Sequence, residues 1–158
     1  MKYLENTKLW IYQADRKFTH TEISEISNLL NGFTSTWQAH GQNLNAGFEF
    51  RYELFIILWV NENVATASGC SIDSSVRIMK EIEQNYEVDL FNRFNMAWKE
   101  QGEVKVAKRE DFEKLVSDGT IKNETIVFDN MLTSGAFLEN KWEVPFSESW
   151  HSKVFTVI

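Results

Sequence analysis

The segment Ala67-Ser68-Gly69-Cys70-Ser71-Ile72-Asp73 sets the only cysteine of the chain between an apolar run and an amphipathic stretch. Amides at a helix start carry partial positive charge, which favours a thiolate or a bound anion. Two chemistries follow from these residue types. In the first, Cys70 is a nucleophile or redox-sensing thiol, and a nucleophile needs a base. Of the three histidines, His20, His40 and His151, the second and third lie beside tryptophans in non-regular segments, and we take His40 and His151 as the candidate bases. In the second, Ser68, Gly69 and Ser71 cradle a small anion ahead of the helix, with Trp37 and Trp150 as candidate binding aromatics. A plainer origin stands beside both. Free cysteine often fills a small buried space, and tight turns select glycine and serine whatever they bind.

No other constellation carries chemistry. There is no CxxC, no HxxxH and no close run of histidines with carboxylates, so we expect no metal and no cofactor. Asp15, Asp73 and Asp129 fall near element ends, where capping and turn roles explain them.

The surrounding pattern says what must hold these residues. Lys8 to Gln13 is short, aromatic and β-branched, as a strand requires. Thr19-His20-Thr21-Glu22 matches a capping box, with Phe18 and Ile23 spaced as a hydrophobic staple. Ile23, Ile26, Leu30 and Phe33 then repeat at helical spacing, predicting a helix to about Phe33 or Trp37. Residues 39–47 read as loop. Residues 48–60 read as one extended segment, alternating at first and apolar on both sides after Leu54. Residues 64–68 return as a further strand after the turn Asn61-Glu62-Asn63. Ser71 is the expected N-cap of a second helix, whose apolar face is Ile72, Val76, Met79, Ile82 and Tyr86. Residues 94–99 and 104–107 form a hairpin about Gln101-Gly102. A short helix over 109–117 ends at Gly119, residues 125–128 make one more strand, and the tail after Met131 docks on the body.

Through residue 99 the order is strand, helix, strand, strand, helix, strand. That order predicts an α+β domain over residues 1–158: a ferredoxin-like split βαβ sandwich, two helices on one face of an antiparallel sheet, with a C-terminal extension. Many functions use this fold, so it decides none of them.

Composition narrows the partners. A formal charge of −7 argues against non-specific binding to nucleic acid or anionic lipid. One cysteine cannot close an internal disulfide, which suits a reducing compartment. The start of the chain lacks the apolar core of a signal peptide, and the longest apolar run, Leu54 to Val60, falls short of the ~20 residues a spanning helix needs. These features predict a cytoplasmic protein. The tryptophans at 10, 59 and 98 sit in strand-like runs and read as core, whereas Trp37, Trp142 and Trp150 sit in irregular segments better suited to an exposed or binding role.

The segments Trp10-Ile11-Tyr12-Gln13-Ala14-Asp15-Arg16, Trp37-Gln38-Ala39-His40-Gly41, Ser68-Gly69-Cys70-Ser71-Ile72-Asp73 and Trp142-Glu143-Val144-Pro145 together resemble an uncharacterised family of small Bacteroidetes proteins often labelled "ABC transporter ATPase". The resemblance covers nearly the whole chain and implies no catalytic residues. The label conflicts with the residues, because such an ATPase holds phosphate with GxxxxGK[ST]. None of the seven glycines is followed by lysine. ATP hydrolysis is discarded. Three expectations remain: a non-catalytic domain binding a small anionic ligand or a protein, a thiol-dependent enzyme or sensor using Cys70, and a homo-oligomeric structural or regulatory protein.

Overall fold

The computed structural model describes residues 3–156 and is a mixed α+β structure with antiparallel sheets. The chain divides into two compact units, Met1–Phe91 with Thr133–Ala136, and Asn92–Leu132 with Phe137–Ile158.

In the first unit, strand β1 (Thr7–Gln13) leads to helix α1 (His20–Thr36). The helix begins where its residue types demand. Thr19 Oγ1 accepts from the Glu22 amide at 3.1 Å, and Glu22 Oε1 accepts from the Thr19 amide at 2.8 Å, which satisfies two of the amides a helix start leaves open. Glu22 also receives both terminal nitrogens of Arg16 at 2.9 Å, and Arg16 donates to the Tyr86 carbonyl at 2.7 Å. Short strands β2 (Gln38–Ala39) and β3 (Gln42–Asn43) follow as a miniature hairpin. The expected loop over 39–47 therefore carries paired backbone, turned by His40 and Gly41 at φ 51° and 76°.

The expected single extended segment over 48–60 is corrected to two strands, β4 (Asn45–Arg51) and β5 (Phe55–Asn61), folded back on each other. Tyr52 and Glu53 both take φ 56°, the left-handed pair that a mirror-image hairpin turn requires. Neither residue is the glycine or asparagine that normally announces such a turn. Strand β5 lies between β1 and β4, antiparallel to both. The strand expected over 64–68 does not form. Both edges of β5 are already occupied, so no sheet edge of β5 is left for it, and Ala67 N bonds to Glu62 Oε2 at 3.0 Å instead.

Helix α2 (Gly69–Tyr86) has Ser68 as its N-cap, three residues before the expected Ser71. Tyr12, Leu58 and Val60 are buried on the sheet face that also carries half-buried Trp10, and Ile26, Leu30, Met79 and Ile82 are buried on the helices. Trp37, Ala39, Leu44, Val60 and Ala65 make one buried cluster, with Trp10 and Phe33 packed against it.

The second unit has its own sheet. Strands β6 (Asn95–Glu100) and β7 (Glu103–Lys108) form the expected hairpin, with Gln101 and Gly102 at φ 53° and 79°. Helix α3 (Arg109–Ser117) ends at Gly119, φ 84°, in the position where a left-handed residue stops a helix. Strand β8 (Ile126–Phe128), the one-turn helix α4 (Leu138–Lys141), strand β9 (Glu143–Pro145) and the short helix α5 (His151–Val154) complete it. The strand order is β7-β6-β8-β9. A ferredoxin-like sheet would place β6 beside β1. Here β6 pairs with β7 and β8, while β1 bonds outward to Thr133 and bridges Ser134. Met96, Trp98, Phe112, Val116, Ile121, Val127, Phe146 and Phe155 form the core of this unit. No helix among the described residues is long and apolar enough to cross a membrane.

Two tests follow from these contacts. A Cβ at Gly47 would run into the Trp59 indole, whereas one at Gly32, within α1, would meet nothing within 4 Å. In urea denaturation, Gly47→Ala should lose about 1–3 kcal/mol and Gly32→Ala should gain about 0.5–1 kcal/mol. Arg16 and the Thr19 amide hold the Glu22 carboxyl down to about 2, from 4.5. Its folded form therefore binds a proton less readily than its unfolded form, and the stability it contributes is present above pH 4.5 and lost as pH falls toward 2. Glu22→Gln should be less stable than the native chain at pH 7, with the difference closing by pH 2.

Candidate functional site

The first turn of α2 is built by two serines that cap each other. Ser68 Oγ accepts from the Ser71 amide at 3.2 Å, and Ser71 Oγ accepts from the Ser68 amide at 2.7 Å while donating to the Ser68 carbonyl at 2.8 Å. Of the four amides from Ser68 to Ser71, two are thus committed to the turn itself. Those of Gly69 and Cys70 remain, because the first turn of a helix offers them no carbonyl. Gly69 and Cys70 are both exposed. The Cys70 carbonyl accepts from Ser74 Oγ at 3.1 Å, and the thiol makes no hydrogen bond among the described residues.

Trp37 reaches the same turn from inside. Its Nε1 donates to the Ser71 carbonyl at 2.8 Å, and its ring packs on Phe33 and Trp10 at centroid distances of 5.0 and 5.9 Å. At 3% exposure it is a core residue and not the surface aromatic that its irregular segment suggested. The structure therefore brings together Trp37, Ser68 and Ser71, and does so through packing. Trp142, also expected in an exposed role, is fully buried with its Nε1 on Asn130 Oδ1 at 3.0 Å.

Neither candidate base forms a hydrogen bond with the Cys70 thiol among the described residues. His40 is exposed at the tip of the β2–β3 turn and has no hydrogen bond among the described residues. His20, the first residue of α1, faces Glu53 at 3.2 Å. His151 belongs to the second unit and is 2% exposed. Its ring stacks on Trp150 at 3.9 Å and lies near Phe112 and Phe146. Ser149 Oγ donates to the Phe146 carbonyl at 2.9 Å, accepts from the His151 amide at 3.2 Å and sits 3.0 Å from Nδ1. The hydroxyl has one proton to give, so with Phe146 as its acceptor Nδ1 is the donor to Ser149. Burial pushes the His151 imidazole down to about 4, so it is neutral near pH 7. Ser149 went unassigned in the sequence; its place two residues from His151 was the available signal. Trp150 is half-buried, with a buried Nε1 that has no partner among the described residues.

Of the three carboxylates, Asp15 and Asp129 hold backbone amides, and Asp73 is exposed on α2. Asp15 accepts from the Asp89 amide at 3.0 Å and Asp129 from the Met131 amide at 3.2 Å. An open depression of about 410 Å³ near the C-terminal end of α2 is lined by Asp15, Lys80, Glu83, Glu87 and Asp89, with Glu83 bonded to the Leu90 amide. Among the described residues no group of histidine, cysteine and carboxylates is arranged to hold a metal ion. Comparison with protein-family models, curated proteins and solved structures finds no match to this chain.

The α2 turn predicts its own energetics. Ser68→Ala removes a cap and should cost about 1 kcal/mol in urea denaturation. Trp37→Phe leaves the Ser71 carbonyl without its buried donor and should cost about 1–3 kcal/mol. Because the two residues share one turn, the double variant should depart measurably from the sum of the singles.

Proposed function

We propose that this chain is a non-catalytic binding domain for a small anionic ligand or a protein partner. The observation that carries the reading is the state of the groups a thiol mechanism would use. Among the described residues Cys70 stands exposed on α2 with no hydrogen-bonded base, His40 is exposed in the β2–β3 turn without a hydrogen bond to it, and His151 lies among aromatic rings with Nδ1 committed to Ser149. A thiol nucleophile needs its base within hydrogen-bond reach. Toward a ligand, the start of α2 offers the Gly69 and Cys70 amides on an exposed turn.

The finer assignments belong to the same proposal. A ferredoxin-like reading is supported in the first unit by the sheet order β1-β5-β4, with α1 between β1 and β4 in the chain and α2 after β5. A cytoplasmic setting is supported by the single cysteine, and a partner other than nucleic acid by the charge of −7.

Alkylation of Cys70 tests the reading with a signal from one site. At pH 7, iodoacetamide should label the folded protein no faster than the urea-unfolded chain, and His40→Ala should leave the rate unchanged. A tenfold acceleration on folding that His40→Ala abolishes would overturn the proposal in favour of a thiol enzyme.

A further inference from the structure

We propose that His151 is a proton-operated latch, whose protonation releases residues 147–156 from the body of the second unit. The segment is held by few groups, and most of them meet at this ring. The imidazole lies against Trp150 of its own segment, Phe112 of α3 and Phe146 at the start of the turn, and Phe155 packs on Phe112 at 5.0 Å. Ser149 ties the ring to the Phe146 carbonyl, and the chain closes on itself through Phe155 N to the His151 carbonyl at 2.8 Å. Backbone bonds from Phe146 N to Thr125 O and from Ser147 N to Asn123 O, at 2.7 and 3.0 Å, anchor its beginning. Beyond them, side-chain packing holds the segment.

A second proton has no good place in this arrangement. Nδ1 already donates to Ser149, so the added proton goes to Nε2, which has no hydrogen-bond partner among the described residues. Among the described residues no carboxylate forms an ion pair or hydrogen bond with the ring. Arg109 of α3, whose guanidinium lies over Phe155 at 5.6 Å, is a like charge. Glu143 of β9 pairs with Lys99 of β6. Glu148 and Lys153 of the segment are exposed, and neither bonds to His151. A cation largely enclosed by aromatic side chains, with no counter-ion among the described residues, is unfavourable, and undocking returns it to water.

The released ring binds a proton near 6.5 and the docked ring near 4. Acidification therefore favours release, progressively between those values and not above them. The ratio of the two proton affinities bounds the shift at about 300-fold in the undocking equilibrium.

Hydrogen exchange read by peptide, corrected for the intrinsic pH dependence of exchange, tests the latch. Between pH 7 and pH 4.5, residues 147–156 should lose protection by tens of fold or more while the β6–β7 hairpin keeps its own. His151→Phe, which keeps the packing, and His151→Gln, which stays neutral, should each remove the pH dependence. Loss of protection in β6–β7 in step with the segment would overturn the proposal, as would unchanged pH dependence in both variants. An NMR titration of the His151 ring in the native protein adds a readout independent of any variant. A midpoint near 6.5 with the segment still protected would also overturn it.

Discussion

Strand β5 has no face it can show to water. Phe55, Ile56, Ile57 and Leu58 are each 0% exposed, and successive residues of a strand point to opposite sides. Both faces must be covered and both edges paired, since unpaired backbone groups in such an apolar setting are costly. The first unit meets part of that demand. β1 and β4 take the edges, and α1 and α2 supply Ile26, Leu30, Met79 and Ile82 as buried apolar groups. The turn at Ser68 follows β5 in the chain, and the Trp37 bond to the Ser71 carbonyl ties it to the buried cluster that includes Val60 of β5.

This hierarchy explains which parts were legible in the residues. The α1 start could be read because all its signals are local: Thr19, Glu22 and the Phe18–Ile23 pair lie within a few residues of one another. The β6–β7 hairpin was legible through Gln101-Gly102, and α3 through its apolar spacing and Gly119. The break between β4 and β5 was invisible. Tyr52 and Glu53 adopt a conformation imposed by the pairing of fourteen flanking residues, and neither residue type advertises it. The absent strand at 64–68 failed for a similar reason, because whether an edge is free is a property of the sheet and not of the segment.

The candidate site shows the same division between local and distant. Ser71 looks like an N-cap from the sequence, but the geometry gives that role to Ser68. The reciprocal bonds make Ser68 the cap and Ser71 its partner. Trp37 looked exposed because its segment is irregular, yet it is the point where the chain turns inward after α1, and Trp10 and Phe33, which hold it, lie 27 and 4 residues away in sequence. His151 could be seen as unusual beside Trp150. That its ring would be enclosed depended on Phe112, remote in the chain and near in the fold, as well as on the nearby Phe146.

Five residues with side chains, His40, Tyr52, Glu53, Glu87 and Gln101, sit at positive φ among those described. A left-handed conformation costs an ordinary residue about 1 kcal/mol. These turns are therefore not tuned for tightness, and glycine or asparagine at such positions is the sequence change that would relax them. The chain carries an unused margin of robustness in its corners. A lineage of such proteins can take up disruptive substitutions elsewhere, at a binding surface for instance, and recover foldability at these corners without touching the core.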